Sequence, residues 1–417
     1  MTPGRCSDII YGMKIDRVYD RVIERHLAEE RQMVFLSGPR QVGKTTLCEA
    51  FQTVSMNWDS DEGREIILRG ARAVAEAAGV PMAGAVSLVG GRRPIVALDE
   101  LHHYPQWKRF LKGLFDTYWK QMQILVTGSA RLNVYKRGGD SLMGRYFPYR
   151  MHPLSVGELL HPVLPNEEIN RVPADIGDVQ WDRLLTFGGF PEPYSRNSQL
   201  FSRRWRKLRF EQLVREDIRK DTSIRELDQI ETLARILAER SGEQLVYASL
   251  GREVGVSEIT ARDWVSVLSS FFFGFRVSPW SRHIANAIRK TPKWYLRDWS
   301  GIVDAGKRNE TFVACHLLKA VEFWTDVGFG EYGLHYVRTK QKQEVDFLVT
   351  KDGKPWFLVE VKTSDRHLSR TLVDVQKALN APYAFQVVMD MPFINADAFS
   401  SDAPVVVPAR TFLSQLV

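Results

Sequence analysis

The sequence predicts an α/β chain. It has a parallel sheet core at the front, a helical middle, and a second, smaller α/β unit at the back. Three observations carry this. The short apolar runs 33–36, 94–98 and 124–126 alternate with longer stretches of helical periodicity, as in a sheet buried on both faces. Between the first of these runs and a helix-competent segment lies Gly38-Pro39-Arg40-Gln41-Val42-Gly43-Lys44-Thr45, the spacing Gly-x-x-x-x-Gly-Lys-Thr. Near the end, two strand-like runs flank Asp352-Gly353, a strong hairpin signal.

Residues 1–32 read as a leader plus an amphipathic helix, with Tyr19, Val22, Ile23 and Leu27 on one face. The glycine-rich stretch that follows the first strand is a phosphate-binding loop. Its glycines let backbone N–H groups turn inward, and the helix behind it adds positive dipole. Residues 38–46, through Thr46, are the candidate ATP contacts. Lys44 reaches the β- and γ-phosphates, and the Thr45 hydroxyl is a Mg²⁺ ligand. Residues 53–58 read as a strand and 61–78 as a helix. The run 94–100 is apolar and closes on Asp99-Glu100, at the carboxyl end where such sheets keep ligands. Asp99 is expected to hold Mg²⁺ through water and Glu100 to polarise the attacking water. His102 and His103 read as loop or polar-contact residues, because adjacent histidines on a regular helix do not face one metal. The next buried strand ends in Thr127-Gly128-Ser129. Ser129 is the first choice for a γ-phosphate sensor and Thr127 the second. Of Arg131, Arg137 and Arg145, Arg145 is the candidate to act across a subunit interface, in a homo-oligomer, on the transferring phosphoryl group. A solvated basic loop accounts for it equally well.

The middle, 156–240, reads as helical with a break at Phe187-Gly188-Gly189-Phe190-Pro191. A basic stretch then runs from Arg203 to Lys220, interleaved with Trp205, Leu208, Leu213 and Ile218. It suits a solvated lid helix or a nucleic-acid surface. From 250 to 270 the pattern is helix, turn, helix, with Ser257 as cap and Ala261, Val265 and Leu268 inward. The apolar run 271–277 follows like a wing. Glu258 and Asp263 on the exposed face suit a phosphate backbone poorly.

The back third carries a helix over 309–320, a strand at 334–338, and the hairpin strands 344–349 and 356–362. Glu360 and Lys362 alternate onto one strand face, with Asp346 expected across the hairpin. Two carboxylates and a lysine there could bind Mg²⁺ and activate water against a phosphodiester.

Taken together, the phosphate loop, Asp99-Glu100, Thr127-Gly128-Ser129 and Gly144-Arg145 before Pro153-Leu154-Ser155 resemble a prokaryotic family of AAA-type ATPases with a C-terminal domain called DUF4143. The resemblance implies an additional-strand NTPase core with Glu100 as its separate catalytic glutamate. The Asp346, Glu360-x-Lys362 order resembles the restriction-endonuclease-like fold. There Glu310 would supply a further helix carboxylate to the metal. The helix-turn-helix region resembles a winged helix.

Bulk composition agrees with a globular chain of several domains. Of 417 residues 44% are hydrophobic and 26% charged, and the net charge of +7 favours anionic partners such as DNA. Cys6, Cys48 and Cys315 are far apart and make no disulfide framework, so a reducing cytoplasm is expected. No apolar run nears the ~20 residues that span a membrane. The expected division is a leader and helix at 1–32, an ATPase core at 33–155, a helical lid at 156–242, a winged-helix-like segment at 243–285 and a nuclease-like domain at 286–417. The expected work is Mg²⁺-dependent ATP hydrolysis coupled to binding or cutting nucleic acid. The rival expectations are a scaffold or signalling ATPase with an inert C-terminal domain, and a winged-helix DNA-binding regulator with ATP as effector.

Overall fold

The computed structural model describes residues 15–81, 93–128, 142–222, 224–281, 291–339 and 343–417. Its first sheet contains β1 (Met33–Ser37), β2 (Val54–Asn57), β3 (Ile95–Asp99), β4 (Gln123–Gly128) and β5 (Tyr146–Arg150). All pair in parallel, in the order β2-β3-β4-β1-β5. β4 stands between β1 and β3, the additional-strand arrangement that the family resemblance implied. It separates the phosphate loop after β1 from the acids after β3. Val34, Leu36, Val96, Leu98, Leu125 and Val126 are fully buried, as a sheet covered on both faces requires.

The predicted helix at 61–78 is two helices, Asp61–Leu68 and Ala71–Ala77. Gly70, at φ +97°, breaks them in a backbone region that only glycine enters freely. The helix Val18–Glu29 buries the face expected of it and lies against the first core.

A second sheet has seven strands: β6 (Gly274–Pro279), β7 (Lys293–Leu296), β8 (Tyr332–Arg338), β9 (Glu344–Lys351), β10 (Lys354–Lys362), β11 (Tyr383–Val388) and β12 (Val405–Pro408). Their order is β12-β11-β10-β9-β8-β6-β7. The expected wing is therefore part of this sheet, one strand in from its β7 edge. β6 pairs with both β7 and β8, so a boundary at 285 cuts through one sheet. The helix-turn-helix itself stands as expected, Tyr247–Val254 then Glu258–Ser270, and Ser257 Oγ accepts from the Thr260 amide at 3.0 Å. Asp352 and Gly353, at φ +51° and +75°, make the tight hairpin between β9 and β10.

The helix expected over 309–320 is longer, Ala305–Asp326, and from Thr311 to Trp324 it is mostly buried between the two sheets. A buried ion network ties it to the first sheet. Glu158 accepts from Arg17 Nε at 2.9 Å and from Lys319 Nζ at 2.5 Å. Arg150 reaches Asp326 and Glu322, and His152 Nε2 lies 2.7 Å from Glu322. Each charge has a partner, which makes its burial tolerable.

Candidate functional site

The phosphate loop leaves β1 and enters the helix Lys44–Phe51. Gln41 at φ +62° and Gly43 at +104° turn its amides inward. Gly38 packs against the chain after β5: a Cβ there would meet the Met151 carbonyl oxygen at 2.4 Å. Arg17 braces the outside of the loop, its Nη1 donating to Val42 O at 2.8 Å.

Lys44 is buried, and its Nζ donates to the carbonyls of Gly38 and Pro39, both at 2.8 Å. Burial pulls its pKa down to about 8, and nearby Glu100 and Asp99 only partly offset this. A triphosphate would take the cation from those neutral carbonyls, since a charged acceptor makes the stronger hydrogen bond.

Opposite the loop, Thr45 Oγ1 lies 3.4 Å from Asp99 Oδ2. Thr127 Oγ1 donates a short hydrogen bond to Asp99 Oδ1. Glu100 has a left-handed backbone at φ +51°, and its Oε2 lies 3.3 Å from His102 Nδ1. Thr45, Asp99 and Glu100 thus gather beside Lys44, where the sequence placed them. The donor set of hydroxyl and carboxylate oxygens fits Mg²⁺. Ser129, Arg131 and Arg137 lie outside the described residues. Thr127, the second choice, is buried against Asp99.

Arg145 grips Asp116 of its own chain with two nitrogens, at 2.7 and 2.9 Å. Leu101–His103 is a 3₁₀ turn in which the histidines make polar contacts, as expected: His102 with Glu100, and His103 Nδ1 with Asp59 Oδ1 at 3.2 Å. Glu100, His102 and His103 place potential ligand atoms within 4.8 Å of one another.

The basic stretch is not solvated throughout: Arg203, Arg204, Lys207, Arg215 and Arg219 are exposed, but its far end is docked. After the helix Gln199–Gln212 the chain widens into a π-helix, Leu213–Ile218. Asp217 in it is buried and pairs with Arg40 of the phosphate loop at 2.7 Å. Lys220 lies 2.8 Å from Asp59 Oδ1 and 3.3 Å from His103 Nδ1. This segment is therefore docked over the nucleotide site. Sequence reasoning missed the docking, because nothing in the local pattern pairs Asp217 with the phosphate loop.

In the second sheet the register carries Asp346 next to Glu360, one step beyond the pair Phe347↔Val359. β9 bulges here: three steps from Val345 to Leu348 oppose two on β8. The bulge re-aims Asp346, whose Oδ2 accepts from Val361 N at 2.8 Å. Burial, then Glu310 and Glu360, push the Asp346 carboxyl far above its ordinary range. Glu360 Oε1 takes Lys362 Nζ at 2.9 Å. Glu310 takes Tyr295 OH at 2.6 Å and Lys293 at 3.2 Å. Lys293 was absent from the sequence reading. It is buried and also reaches Glu344 at 2.7 Å. Asp346, Glu360 and Glu310 are neighbours, but they do not close to metal-ligand spacing as expected. Among the described residues the trio within 4.8 Å is Glu100, His102 and His103.

Three family models match parts of the chain. Residues 30–160 match the family model of the AAA domain, and residues 305–391 match that of a domain of unknown function, DUF4143. Residues 178–309 match another domain of unknown function, DUF8612, which the sequence reading did not anticipate. An uncharacterized protein of Mycobacterium tuberculosis is 26% identical over 366 residues, 85% of this chain and 76% of that protein. One from Methanocaldococcus jannaschii is 23% identical over 308 residues, 66% of this chain and 62% of its own length. Among solved structures, AMPPCP-bound DnaA from Aquifex aeolicus aligns over 62% of this chain and 89% of that one, with 12% identity and a TM-score of 0.30. PCH-2 of C. elegans aligns over 61% and 67%, with 12% identity and a TM-score of 0.24. Among the described residues no helix is long and apolar enough to cross a membrane.

Proposed function

We propose that this chain, which carries an AAA-type ATP-binding domain and a DUF4143 domain, hydrolyses ATP with Mg²⁺ and uses the energy on nucleic acid, DNA first, through its second sheet. The observation that supports hydrolysis is the facing of Lys44 and Thr45 by Asp99 and Glu100 across β4. The loop amides and Lys44 would bind the triphosphate. Thr45, with Asp99 through water, would hold Mg²⁺, which when bound supplies charge neutralisation between the β- and γ-phosphates. Glu100 takes a proton as the water oxygen attacks the γ-phosphorus. The bond to the bridging oxygen breaks, and ADP and phosphate leave. Arg145, once parted from Asp116, could serve a neighbouring copy in an oligomer.

The nucleic-acid part rests on Asp346. A buried carboxyl pressed by Glu310 and Glu360 is relieved by a divalent cation, and Lys362 stands ready beside Glu360. As they stand, Asp346, Glu360 and Glu310 are wider than ligand spacing; drawn together they would hold Mg²⁺, which when bound lowers the pKa of a water aimed at a phosphodiester. The test is cleavage of linear and branched DNA with Mg²⁺. Asp346→Ala should abolish cleavage and leave ATP turnover near normal. Cleavage that survives assigns it elsewhere and sinks the nuclease reading.

One observation favours the rival scaffold or signalling ATPase. A groove of about 700 Å³ runs beside Asn309 and Thr363. Its wall carries Asp175, Asp178, Asp182 and Asp390 against Arg308 and Arg410, a sign that repels phosphate. ATP turnover without any DNA cleavage or salt-sensitive DNA binding would select this reading.

A further inference from the structure

A second cavity, of about 300 Å³, opens between the phosphate loop, the helix Gln199–Gln212, the π-helix and the second sheet. Such a volume is at the lower end of small-ligand pockets, roughly 300–1,000 Å³. Phe210, Leu213, Phe271, Phe273 and Leu296 make an apolar wall. Arg40, Arg206, Lys207, Arg209 and Arg235 face three acids, Glu211, Asp217 and Asp298, so cations are in excess.

The acids are engaged. Asp217 holds Arg40 at 2.7 Å, and Asp298 accepts from Ser300 Oγ at 2.6 Å and its amide at 3.1 Å. Arg209 is different. Its guanidinium lies 4.1 Å from the Phe190 ring centroid and 5.4 Å from that of Trp205, yet its buried Nε has no hydrogen-bond partner among the described residues. The Nε of Arg40 is buried and unpartnered in the same sense. Burial lowers the Arg209 pKa more than Asp298 and Asp217 raise it. A buried donor left unmade is costly, more so when charged, and an anionic ligand would recover that cost.

We propose that this cavity binds a small organic anion: a flat apolar body bearing one phosphate, sulfonate or carboxylate. The anion sits on Arg209 and Arg40, and the body lies on Phe210 and Phe271. This site is separate from the triphosphate site and does not depend on the nuclease reading. Because Arg40 belongs to the phosphate loop, a ligand here competes with Asp217 for the same guanidinium.

The probe is 8-anilinonaphthalene-1-sulfonate, titrated into the full chain and followed by its fluorescence. One saturable site per chain is expected. Arg209→Met should weaken it by about tenfold or more, the worth of a charge-assisted hydrogen bond. Ala238→Leu, which fills the wall with a good helix former, should weaken it too. If Arg209→Met does not fold, Ala238→Leu decides alone. Lys44→Ala should lose ATP and keep the dye. Unchanged dye affinity in the folded cavity variants overturns the proposal. So does loss of the dye with Lys44→Ala, which would place it in the triphosphate site.

Discussion

Lys44 makes nucleotide affinity a function of pH. The side chain is buried, its ordinary partners are two neutral carbonyls, and its pKa falls to about 8. A bound triphosphate brings several negative charges to within hydrogen-bond reach and raises that pKa. Below pH 8 the lysine is already charged and binding needs no proton. Above it, the free protein has lost a proton that the bound state requires, so affinity must fall as pH rises. With the bound pKa well above 9, the dissociation constant at pH 9 should be about tenfold larger than at pH 7, close to 1.4 kcal/mol. Terminal phosphates lose their last proton near pH 6 and do not contribute to this window. The assay is equilibrium titration with a fluorescent ATP analogue at fixed Mg²⁺ and salt, from pH 7 to 9.5. Lys44→Arg provides the control: its guanidinium stays charged, so whatever affinity remains should be flat over this range. A flat profile in the wild type, or the same slope in Lys44→Arg, would refute the burial argument.

Glu100→Gln should bind ATP normally and lose turnover by two orders of magnitude or more, since only water activation is removed; loss of binding would make Glu100 structural. Mixing Arg145→Ala with Lys44→Ala protein should restore part of the ATPase if Arg145 reaches a neighbour, and no recovery would leave Asp116 as its whole role. Glu158→Gln should cost about 3–5 kcal/mol in urea unfolding, because it strands Arg17 and Lys319 in the interior. A loss under ~1 kcal/mol would mean that water reaches them. For Asp346 the raised pKa means the unfolded chain gives up this proton first. That share of stability is present at low pH and lost as pH climbs from the usual carboxyl value to the raised one. Above that window Mg²⁺ should raise the melting temperature of the wild type and not of Asp346→Asn; equal shifts would remove the metal from this site.

The nucleotide site was legible because its chemistry is local. Loop, Lys44 and Thr45 are contiguous, and Asp99-Glu100 closes an apolar run, so period and motif locate them. Gly70 shows the limit of such reading: periodicity continues through it, while its backbone turns away. The lid's docking was not legible, because Arg40 and Asp217 meet across two elements and neither motif demands the other. Nor was the bulge in β9, a register event between strands that leaves no residue-type signature. Lys293 escaped for the same reason, since its partners Glu310 and Glu344 lie on separate elements.

The charge cluster around Glu158 also sets a timetable for synthesis. Arg17 is made 141 residues before Glu158, and Lys319 comes 161 residues after it. At about 5–20 residues per second the ribosome needs roughly 8–32 s to supply that second cation. Throughout this interval the emerging front sheet holds a carboxylate meant for the interior with half its complement. A chaperone, or delayed closure of Val18–Glu29 onto the sheet, has that long to act. Slowing translation between these two points lengthens the exposure without changing a single contact of the finished protein.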